Sequence, residues 1–227
     1  MKKISKKPIS NHITIGSLYF FLFAGGLWHV LGVFQTLMRI LAAPLLIVLS
    51  LIVFFVNFQI LSDKKNKLLF LSWTILVIIG SFVIEWLGVK TGKIFGQYVY
   101  GETLQPILSG VPIAIGFAWL CVLLTSTAVV QRILPKFSNY HFVVQAISIS
   151  LLMVLFDIVM EPAAMKLGYW TWLSGSILIQ NFIAWFVISF VFAVIGVRIR
   201  LFIEKLPSIV FHAYFAQLIY FGMVILK

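Results

Sequence analysis

The sequence predicts an all-α fold: a polytopic integral membrane helix bundle of about seven transmembrane helices in a single domain. Three observations predict it. Apolar residues make up 62% of the 227 residues and charged residues only 10%, against about 25% charged in soluble domains; the mean hydropathy is +1.11. Seven apolar runs approach or exceed the roughly 20 residues that a helix needs to cross the hydrocarbon core. The basic residues cluster in short segments between those runs, where topology signals and lipid headgroup contacts occur.

The spans fall at about 13–35, 41–61, 68–89, 110–131, 142–161, 178–198 and 208–226. The first follows "MKKISKKPISN", so a signal peptide has to be weighed. The run from Ile13 to Phe34 is too long for an ordinary signal core and no small-residue cleavage site follows it, so it reads as a retained span. A short turn around Arg39 should join the first two spans as a hairpin. The fifth should end at Glu161, with Pro162 starting the exit from the helix. No low-complexity segment, coiled coil or soluble domain interrupts the pattern. The single cysteine, Cys121, allows no intramolecular disulfide.

Lysine and arginine placement predicts orientation. With the N-terminus in the cytoplasm, Lys2, Lys3, Lys6, Lys7, Lys64, Lys65, Lys67, Arg132, Lys136, Arg198, Arg200 and Lys205 are cytoplasmic, twelve of the seventeen basic residues. The opposite side holds Arg39, Lys90, Lys93, Lys166 and Lys227. The expected location is the inner (cytoplasmic) membrane, with lipid as the surrounding partner. Segments 90–109 and 162–177 then share the non-cytoplasmic side and are able to meet. The formal charge of +11 does not indicate nucleic acid, because no basic domain outside the membrane exists to bind it.

Only six acids are present. Asp63 and Glu204 sit among lysines and read as solvated. Glu85 lies in the last turns of the third span. Asp157 and Glu161 are four apart, on one face of the fifth. Intramembrane carboxylates are costly and usually functional. Two of them one turn apart in a low dielectric do not both ionise easily, so one should keep a proton and act as a donor. The bland alternative is that these acids snorkel to the interface; for Glu102 that reading is preferred.

Aromatics gather in the same two loops: Phe95, Tyr98, Tyr100, Tyr169, Trp170 and Trp172, with Trp86 and Trp119 on the flanking helices. An interfacial aromatic belt explains such a cluster by itself. Yet Gly88, Gly92, Gly96, Gly101 and Gly168 punctuate these loops and allow the backbone to re-enter tightly. An aromatic-lined slot there would suit a long, flat, apolar ligand, and aromatic faces stabilise a transient cation. Asn181 is one of several polar residues inside the spans. His29, His141 and His212 have no metal or haem spacing, and no dinucleotide fingerprint occurs. The last span lacks the interior lysine of a retinal protein. No metal and no cofactor are expected.

Three stretches carry a family resemblance. "EWLGVKTGKIFGQYVYGETLQPILSGVP" presents Glu85, Gly88, Thr91, Gly92, Phe95, Gly96, Tyr98, Tyr100, Val111 and Pro112 in the spacing of a first signature; "DIVMEPAAMKLGYWTW" and "QNFIAW" match a second and a third. The pattern resembles the carotenoid biosynthesis membrane family that includes the carotenoid 1',2'-hydratases, over roughly residues 70–190. That family usually has Asp before the proline, where this chain has Glu161. The first two spans and the last carry no matching signature. The resemblance implies cofactor-free hydration of the terminal double bond of an acyclic carotenoid, and other enzymes of that pathway as partners. On that basis the catalytic candidates are Asp157, Glu161 and Glu85, with the pair as donor and Glu85 handling water. Phe95, Tyr98, Tyr100, Trp119, Tyr169, Trp170, Trp172 and Asn181 are the substrate-binding candidates. Two other classes stay open: a transporter or channel using the carboxylates as a proton relay, and a non-catalytic carotenoid-binding assembly protein.

Overall fold

The computed structural model describes residues 11–61, 63–134 and 136–226. Lys2, Lys3, Lys6, Lys7 and Lys227, which enter the orientation reading, lie outside the described residues. Among the described residues seven α-helices run α1 (Asn11–Leu31), α2 (Gln35–Ile60), α3 (Lys64–Thr91), α4 (Ala114–Ile133), α5 (Phe142–Lys166), α6 (Ile179–Arg198) and α7 (Ser208–Ile225). Each is long and apolar enough to cross a membrane, and together they form a multi-pass membrane bundle. Four short strands, β1 (Tyr98–Tyr100), β2 (Ile107–Leu108), β3 (Val111–Pro112) and β4 (Trp170–Trp172), pair antiparallel as β1–β4 and β2–β3.

Helix α4 is the central post, buried along most of its length from Ala114 to Gln131, and it packs on α2, α3, α5 and α7. Small and polar residues set these approaches. At Gly116 a Cβ would sit 2.5 Å from the Ile78 carbonyl oxygen, so only glycine lets α3 come this close. Ser50 donates to the Phe117 carbonyl at 2.8 Å, joining α2 to α4. The Trp73 indole donates to the Phe192 carbonyl at 3.0 Å, joining α3 to α6. Apolar side chains such as Phe20, Phe21, Ile40 and Phe55 point outward from α1 and α2, as expected for surfaces solvated by lipid. At the end of the bundle away from the aromatic loops, Gln131 donates to the Phe202 and Glu204 carbonyls and accepts from the Leu206 amide, which pins the α6–α7 connection. Asp63 and Glu204 are exposed there, and Asp63 caps α3 through the Asn66 amide.

Three boundaries differ from expectation. The α1–α2 turn lies at 32–34, not around Arg39, which is inside α2. Gly32 (φ 69°) and Phe34 (φ 54°) take left-handed conformations that end one helix and start the next. Helix α4 begins at Ala114 instead of 110, because 107–112 form the β2–β3 hairpin with Ser109 and Gly110 at positive φ. Helix α5 does not exit at Pro162 but continues to Lys166. It ends where Gly168 (φ 69°) accepts a left-handed turn: the Gly168 amide bonds the Met165 carbonyl and the Tyr169 amide bonds the Ala164 carbonyl, a glycine-terminated Schellman motif.

Candidate active site

Helices α3 and α5 end at the same end of the bundle, and the chain beyond each becomes a strand. Side chains alternate across a strand. Tyr98 and Tyr100 therefore face the bundle while Val99 faces out, and Trp170 and Trp172 face in while Thr171 faces out. The β1–β4 register puts Tyr98 opposite Trp172 and Tyr100 opposite Trp170, with ring centroids 5.2 and 5.9 Å apart. Such cross-strand aromatic pairs stabilise a sheet by about 0.2–1 kcal/mol each. Gly101 permits the approach: its amide donates to the Tyr169 carbonyl at 2.8 Å, and a Cβ there would lie 2.3 Å from the Gly168 oxygen. The Gln180 side chain fastens the first loop to α6 by donating to the Lys93 and Ile94 carbonyls.

Beneath this small sheet each glutamate receives three donors. Glu85 Oε2 accepts from the hydroxyls of Tyr98 and of Tyr100, the latter at 2.9 Å, and Oε1 accepts from Trp119 Nε1 at 3.0 Å. Glu161 Oε2 accepts from the indoles of Trp170 and Trp172, both at 2.9 Å, and Oε1 accepts from Asn181 Nδ2 at 3.2 Å. The same Asn181 nitrogen donates to Asp157 Oδ2 at 2.7 Å, while the fully buried Asp157 Oδ1 has no partner among the described residues. Burial, and then the adjacent Glu85, push the phenols of Tyr98 and Tyr100 far above the usual tyrosine range, so both remain donors at neutral pH. Burial also pushes Tyr169 up to about 12.

The two cradles face one cavity. It has about 50 Å³ of room for water-sized molecules, and one water needs about 10–15 Å³ on that measure, so it accommodates about four. Glu85, Glu161 and Asn181 line it with Phe95, Tyr98, Tyr100, Trp119, Tyr169, Trp170 and Trp172. Asp157 does not line it and stands one turn behind Glu161. Phe95 packs on α3 where Gly88 leaves space. Glu102 is exposed outside the site. Thus every residue put forward as catalytic or substrate-binding falls in or directly behind one site, but the two tyrosines and two tryptophans of the sheet are also hydrogen-bond donors, a role that slot lining does not include. Sequence reading missed Trp185, which stacks on Trp119 with centroids 4.1 Å apart, and Leu46, Met160 and Phe221, which close the cavity from α2, α5 and α7. Trp185 had a signal, since it ends the "QNFIAW" stretch. The other three are ordinary apolar residues of apolar helices. Among the described residues, no three His, Cys, Asp or Glu side chains gather as metal ligands.

Fold and site together define a membrane-embedded helix bundle with a carboxyl-and-aromatic centre buried near one end. The chain belongs to the carotenoid biosynthesis protein family, whose model matches residues 42–226. The match reaches beyond 70–190 to include α2 and α7, the source of Leu46 and Phe221. The chain is also similar to the bisanhydrobacterioruberin hydratase of Haloarcula japonica, 29% identical over 111 residues, covering 48% of this chain and 36% of that protein. It therefore spans about a third of the length of that curated relative. No solved structure matches it.

Proposed function

We propose that the protein is a carotenoid 1',2'-hydratase that adds water to the terminal double bond of an acyclic carotenoid end group, giving a tertiary alcohol without a cofactor. The observation that carries this reading is a pair of buried glutamates, each cradled by three donors, that line one cavity with room for water and aromatic walls. The hydratase name of the Haloarcula japonica relative supports it.

In this mechanism the Asp157–Glu161 pair shares one proton. Glu161, the member facing the cavity, delivers it. The alkene π electrons form a new C–H bond at C2', and the positive charge falls on the tertiary carbon C1'. The faces of the aromatic side chains and the two carboxyl groups stabilise that charge, and preorganised electrostatic stabilisation of this kind usually contributes more than any other single effect to catalysis. Water held beside Glu85 attacks C1', forming the C–O bond. Its surplus proton passes to Glu85 and returns through cavity water to the Asp157–Glu161 pair, so the net change is one added water. Positioned acids and bases of this kind contribute about 10²–10⁴-fold each. The N-terminus is taken as cytoplasmic and the site as lying at the outer face of the inner membrane.

Expression in a lycopene-producing host, followed by mass spectrometry of the pigments, tests the reading. The expected result is a pigment heavier by one water, with oxygen drawn from isotope-labelled water. Oxygen drawn from labelled oxygen gas would rule out hydration, and unchanged pigment mass would point to binding without catalysis.

A further inference from the structure

We infer that the cavity is a binding site for lipophilic tertiary ammonium ions, with the ammonium head between Glu85 and Glu161 and the alkyl tail in the place of the isoprenoid chain. The inference deepens the hydration reading and rests on it for the shape of the ion: a protonated dimethylalkylamine matches a dimethyl-substituted tertiary cation in size and charge.

Four features point to an organic cation. The two acids lining the cavity have no basic neighbour, since among the described residues no Lys, Arg or His lines it. The donors that hold Glu85, Asp157 and Glu161 are neutral phenols, indoles and an amide. An acid of this site that gives up its proton therefore has no basic side chain on the cavity wall to pair with. Buried Asp157 Oδ1, just behind Glu161, also lacks a partner among the described residues. Aromatic side chains line the walls, Trp119 and Trp185 among them, and the most favourable aromatic partner for a desolvated cation is tryptophan. A hydrated inorganic cation fits this poorly, because most of the wall is aromatic and aliphatic carbon that cannot replace its hydration shell. Room for about four waters is also room for a head of three or four heavy atoms. A site complementary to a transition-state cation binds a stable analogue more tightly than a neutral molecule of the same shape.

Tryptophan fluorescence of the purified full-length protein in a neutral detergent provides the test. The probes are N,N-dimethyldodecylamine and the hydrocarbon in which a CH group replaces the nitrogen. The expected result is at least about tenfold tighter binding of the amine, roughly 1.4 kcal/mol, reduced in Glu85→Gln and in Glu161→Gln and unchanged in Glu102→Gln. Equal affinity for amine and hydrocarbon would overturn the inference, and so would an amine preference that survives both glutamine substitutions, which would mark adsorption to the micelle or the protein surface. If neither variant folds, equal affinity of the wild-type protein for the two probes still overturns the inference. Amine binding with no hydrated pigment in the host would leave the cation site standing and remove the hydratase reading; hydration without amine preference would do the reverse.

Discussion

The two glutamate cradles are built on the same plan and differ in two places. Each glutamate sits near the end of a long helix, each takes two aromatic donors from the strand that follows, and each takes a third from a neighbouring helix: Trp119 of α4 for Glu85, Asn181 of α6 for Glu161. The strand donors are phenols on one side and indoles on the other. One turn before Glu161 stands Asp157, whereas one turn before Glu85 stands Ser81, whose hydroxyl is turned to the Ile78 carbonyl at 3.3 Å. A phenol both gives and accepts a proton; an indole N–H only donates. In the proposed mechanism the Glu85 side is therefore the one that would manage water and pass protons. In the proposed mechanism the Glu161 side, fixed by two indoles and backed by a second carboxyl, is the one that would hold a proton and release it. The difference favours acid and base roles that the symmetry of the plan alone would leave open.

The strongest way to break this comparison is to remove the acid. Glu161→Gln and Asp157→Asn should each lower hydrated pigment by about 10²–10⁴-fold with normal accumulation in the membrane, because an amide keeps the shape but has no proton to give. If Asp157→Asn retained near-normal product, the second carboxyl would be structural and the asymmetry empty. The donors sharpen the point. Tyr98→Phe should cost about a hundredfold, in the range seen for losing a preorganised donor, and Trp172→Phe only about tenfold, since the indole carries no proton between partners. The reverse order, read from product formed per unit of protein, would place proton traffic on the Glu161 side. A smaller effect is expected where the two cradles touch. Gly101→Ala forces a Cβ against the Gly168 carbonyl and should destabilise the protein by about 1–3 kcal/mol, visible as a lower Tm in detergent and as loss of activity on both sides at once. The smallest effects belong to Glu161→Asp, which restores the residue usual at that position of the family signature, and to Glu102→Gln. Both should stay within about tenfold, roughly 1.4 kcal/mol of barrier. A dead Glu102→Gln protein would move the chemistry to the 100–102 turn.

How much of this was legible depended on how local the signal was. The seven apolar runs were visible because a bilayer imposes its thickness on each one separately. The aromatic residues were visible as a cluster in two glycine-punctuated loops, although only the folded pairing shows that they alternate on strands and point at carboxyl groups. Pro162 misled because proline ends most helices, while the real terminator, Gly168, acts through a hydrogen-bond pattern that includes the residue after it. Arg39 misled in the same way: a charge marks an interface, but the backbone turned at Gly32 and Phe34. Trp185, Leu46 and Phe221 escaped because their roles come from helices packing far apart in sequence, and nothing in a short window records which face of an apolar helix meets which.

The antiparallel ladder between Tyr98–Tyr100 and Trp170–Trp172 has a mechanical consequence. Four of the six groups that hold the two glutamates ride on the same pair of strands that walls the cavity on its outer side. Lifting those strands to admit a bulky chain would strip donors from both carboxyl groups in one movement, and lowering them would restore all four together. If the proposed substrate enters by that route, access and reactivity would form an interlock: a site open to the surrounding lipid would be disarmed, and unsaturated acyl chains drifting past it would meet no assembled acid.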